Sequence, residues 1–132
     1  MALENLTKEN FDQKVQEHQI AILDFWAPWC APCRQFAPIF EEVAKEHPDI
    51  LFGKINTEEE QELASYFQIR SIPTVMVIKE GVVVFAQPGL LPKEALEDLI
   101  KQAKELDMQK VKEEIAKEQQ NQQQNQETQN KE

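Results

Sequence analysis

The sequence predicts an α/β fold: a central mixed β-sheet flanked by helices on both faces, followed by a C-terminal extension of different composition. Three observations carry this. Through residues 1–107, apolar segments of strand length alternate with segments whose apolar residues recur at helical spacing. The last two strand-like segments, TVMVIK (residues 74–79) and VVVFAQ (residues 82–87), are separated only by Glu80-Gly81, a hairpin signal. Beyond residue 107 the alternation ends, and Gln119 to Glu132 is nearly all Gln, Asn and Glu. Strands connected through helices pair in parallel and a hairpin pairs antiparallel, so the sheet should be mixed. The expected organisation is one domain over 1–107 and a charged helical extension with a disordered Gln/Asn-rich tail over 108–132.

The elements follow in order. Residues 2–5 form a short edge strand. Thr7 can cap a first helix with Phe11 and Val15 on its inner face. IAILDFWA (residues 20–27) is apolar on both faces, as a central strand should be. From Ala31 to His47, Phe36, Ile39, Phe40, Val43 and Ala44 make a helical stripe, and Pro38 within it removes one backbone donor and should kink the helix. ILFGKIN (residues 50–56) is the next strand. TEEE (residues 57–60) has the form of a capping box and should start a helix that ends near Phe67. After the hairpin, a last domain helix starts near Pro92 and Lys93, with Leu96, Leu99, Ile100 and Ala103 on one face. Met108, Val111 and Ile115 continue a helical pattern on a rotated stripe. Either the helix breaks near Asp107, or a second apolar face extends past the domain as a docking helix or a self-association seam.

Composition narrows the function classes. The net charge of −10 disfavours nucleic acid and anionic membrane surfaces and suits protein partners with a basic docking face. No apolar run approaches the ~18 residues needed to span a bilayer. MALENLTKENF at the N-terminus has neither a basic segment nor an apolar one, so no signal peptide is expected and the expected compartment is the cytoplasm. Thiols are kept reduced there, which makes a lone structural disulfide unexpected.

Both cysteines fall within WAPWCAPCR (residues 26–34), directly after a strand and at the start of a helix. Three readings compete: a redox pair, half of a zinc site, and two inert core thiols. Zinc needs four ligands, and the two histidines, His18 and His47, belong to other segments and match no catalytic position. Inert thiols leave the spacing and the junction to coincidence. A redox pair uses both: residues three apart on a first turn face each other, and the unpaired N–H groups of a helix N-terminus favour a thiolate at Cys30. Arg34 adds a positive charge nearby. Cys30 is then the nucleophile and Cys33 the resolving thiol.

DFWAPWCAPCRQFAP (residues 24–38), followed by IRSIPT (residues 69–74), Gly81 and Gly89, resembles thioredoxin in order and without large gaps over about residues 3–106. The active-site wording is closest to the second bacterial type, although the extra cysteines of that type's N-terminal zinc module are not present. The resemblance implies a thioredoxin fold and reduction of protein disulfides by dithiol–disulfide exchange through Cys30 and Cys33. It implies no bound cofactor, only a redox-active Cys30–Cys33 disulfide re-reduced by NADPH through a flavin-containing thioredoxin reductase. The partners would be disulfide-containing proteins and that reductase, the chain acting as a monomer without nucleic acid or membrane.

The resemblance also assigns residues. Asp24 matches a buried proton-relaying aspartate whose pKa burial should raise, and Lys54 a lysine near it. Trp29, Ala31, Pro32, Ile72, Pro73 (as a cis-proline) and Gly89 would line the substrate groove. Trp26 and Pro38 would be structural. Ala31 stands where glycine is usual, and Pro88 and Leu90 flank Gly89 where smaller or β-branched residues are common. The middle proline, Pro32, stands where oxidising relatives carry histidine, which argues for a reductant. Two alternatives stand beside this reading: an oxidase or isomerase of the same fold, and a chaperone-like binding module.

Overall fold

The computed structural model describes residues 3–130, with side chains described through residue 122. In chain order the elements are β1 (Leu3–Asn5), α1 (Phe11–Gln16), β2 (Ile20–Trp26), α2 (Ala31–Glu46), β3 (Leu51–Asn56), α3 (Gln61–Tyr66), β4 (Thr74–Lys79), β5 (Val82–Pro88), α4 (Lys93–Glu105) and α5 (Met108–Asn130). The five strands form one sheet in the order β1-β3-β2-β4-β5. β1, β3 and β2 run parallel, and β4 and β5 run antiparallel to their neighbours. This is the expected mixed sheet, with the apolar β2 at its centre.

Side-chain alternation along the strands sorts the core into two halves. Ile20 and Ile22 of β2, Ile50 and Phe52 around β3, and Val75 and Val77 of β4 face α2 and α4, where they meet Phe36, Phe40, Val43, Leu96 and Ile100. Ala21, Leu23 and Phe25, with Leu51, Ile55, Met76 and Ile78, face α1 and α3 and meet Phe11, Val15 and Leu63. Gly53 belongs to the second face by position, and a methyl there would collide with Leu6 and Leu23.

Several local expectations change. The segment TEEE makes no capping box: α3 begins at Gln61 with Glu60 at its N-cap and no side-chain cap. Thr57 is instead held to the end of β2, its backbone N–H and its hydroxyl both donating to Trp26 O (2.8 and 3.1 Å). Thr7 acts three residues before the N-cap of α1: Thr7 N–H donates to Asn10 Oδ1 (2.7 Å) and Asn10 N–H to Thr7 Oγ1 (3.3 Å), a reciprocal box over the turn leading into the helix. Pro38 lies inside α2, as expected, and on its exposed face, where water can satisfy the carbonyl left without its helical donor.

The second apolar stripe resolves within the chain. The helix does break at Leu106–Asp107, and α5 turns its first residues back on the domain. Met108 is buried, Val111 and Ile115 line a cleft with Val82, Val83, Val84 and Leu106, and Lys112 pairs with Glu80 at 3.0 Å. The tail expected to be disordered from Gln119 is helical through Asn130. The stretch contains neither Gly nor Pro, and Gln, Glu and Lys propagate a helix already nucleated on the domain.

Lys79, at the end of β4, alternates onto the α4 face and is buried. Its ammonium donates to the carbonyls of Ala103 (2.6 Å), Lys104 (3.2 Å) and Leu106 (3.0 Å). All three protons are used, and the orphan carbonyls at the end of α4 gain a cation where the helix dipole favours one. Replacing Lys79 by Met should lower stability by about 2 kcal/mol, since hydrogen bonds to charged groups are the strong ones and three carbonyls would lose the same donor. Urea unfolding measures the loss, and hydrogen exchange should place the added opening in the last turn of α4 and the start of α5.

Candidate active site

The site is built where β2 runs into α2. Cys30 is the N-cap of α2 in extended conformation, and its Sγ accepts the backbone N–H of Cys33 at 3.2 Å. Pro32 occupies the first turn, where its missing N–H costs nothing. Cys30 N–H donates back to Ala27 O (3.2 Å), and Arg34 donates from its backbone to Cys30 O (3.1 Å) and from its guanidinium to Pro28 O (2.9 Å). The turn is thus latched from both ends. Cys30 and Cys33 form a disulfide across this turn, their Cα atoms 5.2 Å apart. Both are buried among Ala27, Trp26 and Ile72.

A second segment reaches the same place from β4. The register that pairs Phe25 with Thr74 brings Ile72-Pro73 beside the end of β2. The Ile72–Pro73 peptide is cis, and Ile72 O lies 3.7 Å from Cys30 Sγ. Pro73 O accepts the N–H of Gly89 at 2.8 Å, which fixes the end of β5 alongside. Gly89 holds φ +101°, a conformation other residues resist, and the space on its side-chain side is open. Trp29, next to Cys30 in the chain, is 65% exposed, and Leu90, next to Gly89, is also exposed. Ala31 is exposed on the first turn of α2.

Asp24 lies in β2, two residues before the strand ends at Trp26. Strand alternation places it on the face covered by α2 and α4, two residues beyond Ile22. It is fully buried, and neither carboxylate oxygen has a hydrogen-bond partner. Desolvation raises its pKa from the ordinary 3.8 to about 7, opposed in part by the positive charge of Lys54. Lys54 is the residue opposite Asp24 on β3, and its ammonium sits 4.7 Å from the centroid of the Trp26 ring. The cation therefore acts on Asp24 through space and is held by the indole face. Trp26 is half-buried, slightly less enclosed than expected of a packing residue.

One contact escaped the sequence. The exposed Trp29 indole N–H donates to the carboxylate of Glu58 in the turn after β3, which fixes the ring beside the cysteines. Glu58 reads in sequence as one of three consecutive surface glutamates, and only the return of β3 beside β2 singles it out.

Comparison with known proteins decides the family. The thioredoxin family model matches residues 2–102. A Streptomyces coelicolor protein provisionally named thioredoxin 2 is 54% identical over 114 residues, covering 86% of this chain and 85% of its own length. The thioredoxin of Bacillus subtilis is 43% identical over 101 residues, 76% of this chain and 96% of its own. Among solved structures, a mutant thioredoxin from Halobacterium salinarum superposes with a TM-score of 0.74 at 31% identity, covering 80% of this chain and 93% of that one. The chain belongs to the thioredoxin family. It is a thioredoxin-type protein-disulfide reductase, a thiol–disulfide oxidoreductase whose redox centre is the Cys30–Cys33 disulfide.

The buried aspartate gives a sharp pH signature. Because the folded thioredoxin holds the Asp24 proton up to about pH 7 and the unfolded chain releases it near 3.8, folding takes up a proton in that window. Stability from this group is therefore highest at acid pH and falls as pH rises through the window, by on the order of 4 kcal/mol in all. Asp24→Asn should be more stable than the wild type at pH 8, with the difference shrinking toward zero near pH 4. Urea unfolding of both proteins at pH 4, 6 and 8 tests this, and a pH-independent difference would contradict it.

Proposed function

We propose that the protein donates electrons to disulfides of other proteins, with Cys30 as nucleophile, Cys33 as resolving thiol and Asp24 as the group that exchanges the proton of Cys33. The observation that carries this is the placement of Cys30 at the N-cap of α2 with the Cys33 N–H directed at its sulfur, over a buried, unpartnered carboxyl on the face beneath α2. In the reduced state the Cys30 thiolate gains that N–H and the helix dipole. It attacks one sulfur of a target disulfide, forming a mixed disulfide and expelling the other sulfur as a thiolate. Cys33 then gives its proton to Asp24 and attacks Cys30 Sγ, which releases the second target sulfur and leaves Cys30–Cys33 oxidised. Two electrons pass to the target, and the released thiolates take up protons from Asp24 and solvent. Lys54 tunes Asp24 by charge.

Trp29, Ala31, Pro32, Ile72, Pro73 and Gly89 form the groove for an extended target segment, whose backbone pairs beside the Ile72–Pro73 segment. The groove is apolar at Trp29 and Leu90. Re-reduction comes from NADPH through a flavin-containing thioredoxin reductase, and the working compartment is the cytoplasm, with the chain as a monomer free of nucleic acid and membrane. Among the described residues no helix is long and apolar enough to cross a membrane, and both cysteines of the sequence are committed to the disulfide. The active-site wording supports grouping with the second bacterial type. Residues 1–107 act as the catalytic domain and 108–132 as an extension.

The experiment is equilibration of Cys30–Cys33 with a glutathione or dithiothreitol buffer at pH 7. A potential near the thioredoxin value of about −270 mV is expected, and one at or above about −180 mV would favour the oxidase or isomerase reading instead. In a turnover assay with a disulfide protein, Cys30→Ser should abolish reduction, and Cys33→Ser should accumulate the mixed disulfide, visible by mass spectrometry. A double serine variant that still holds unfolded clients would favour the binding-module reading.

A further inference from the structure

At the opposite end of α2 from the cysteines, Glu46, His47 and Glu97 each offer a ligand atom, and these atoms lie within 4.8 Å of one another. We infer that they form a binding site for a borderline divalent cation of the zinc type, which ties the C-terminus of α2 to the N-terminal half of α4.

Four observations support it. The donors are one imidazole and two carboxylates, three ligands that leave a fourth tetrahedral position for water, a set that suits zinc better than the all-oxygen preference of magnesium. The imidazole is already oriented: His47 is partly buried, stacks on Phe52 with ring centroids 6.4 Å apart and places Nε2 3.0 Å from Glu97 Oε2. The other oxygen, Glu97 Oε1, is enclosed and has no hydrogen-bond partner. His47 is also the C-cap of α2, where the last carbonyls of the helix favour positive charge.

The present compensation is partial. Lys93 lies 3.3 Å from Glu46, but it is shared with Glu42 at 3.0 Å, and no lysine or arginine pairs with Glu97 among the described residues. A cation would replace the His47–Glu97 hydrogen bond by two ligand bonds, one to Nε2 once its proton has passed to solvent and one to a carboxylate oxygen. Beside the three residues an open cleft of about 820 Å³, bordered by Lys93, Glu94 and Asp98, leaves room for the water ligand.

The test uses the full chain in its disulfide form, so that neither thiol can ligate metal, titrated with zinc chloride by calorimetry in a non-coordinating buffer. One saturable site is expected, with affinity lowered at least about tenfold in both His47→Ala and Glu97→Gln and no comparable binding of magnesium. Cobalt added to the wild-type protein should shift or broaden nuclear resonances of His47 and Glu97 first, a readout that needs no variant. Absence of a saturable site up to millimolar zinc, equal affinity in folded variants, or cobalt effects centred elsewhere would overturn the assignment. Reductase activity, which depends on the other end of α2, should persist in His47→Ala.

Discussion

The seating of α2 on the central strands is the contact on which the rest of the molecule depends. Its buried stripe of Phe36, Phe40 and Val43 packs on Ile22 and Phe52, with Phe40 and Phe52 meeting edge to face at 5.2 Å. Each such phenylalanine, if truncated to alanine, would cost on the order of 3–5 kcal/mol, so the helix has little freedom to slide. That rigidity fixes where its first turn lies, and the first turn carries both cysteines. Catalytic geometry here is a by-product of core packing one and two turns further along the same helix.

The same packing leaves one carboxyl buried at a cost to stability. Strand alternation sends Asp24 to the face that α2 covers, where an apolar residue would be more stable. Nothing hydrogen-bonds its carboxylate, and Lys54 lends only a distant charge while lying over Trp26. A hydrogen-bonded partner would restore the usual acidity of the group and stabilise the fold. It would also take away a carboxyl able to hold or release a proton near neutrality.

The sheet, its order of elements and the catalytic pair were legible because each rests on local signals: strand-length apolar runs, a Glu80-Gly81 turn with both residues at positive φ, and two cysteines at a strand–helix junction. Pro73 and Gly89 were legible only through resemblance, since nothing near either residue in sequence says that β4 and β5 bring them to Cys30. Contacts made by distant residues were not legible at all. Glu58 looks like any surface glutamate until β3 returns beside β2, and Lys79 looks like a strand-end lysine until the end of α4 supplies three carbonyls. The capping box at Thr57 failed for the same reason: Trp26 O, 31 residues away, competed for the threonine and won. The tail's composition is poor in apolar residues but also free of helix breakers, and docking of Met108 supplies a nucleus that such a sequence lacks in isolation.

Charge placement along α2 links these threads. The sequence holds 24 acidic residues, yet the first turn of this helix contains none, whereas its last two turns carry Glu41, Glu42 and Glu46. Ordinary helix stabilisation would ask for the reverse, with acids at the start and bases at the end. A carboxylate in the first turn would compete with a Cys30 thiolate for the same N–H groups and would repel it, so leaving that turn without acids reserves the dipole for sulfur. Carboxylates gathered at the far end then meet the negative pole of the helix, where Lys45 is the base of the last turn and a further cation reaches in from another element. That cation is Lys93 of α4, which pairs with both Glu42 and Glu46. Stability given up at one end for a reactive thiolate, and charge balanced at the other by groups from α4, follow from a single helix dipole whose orientation the fold cannot change.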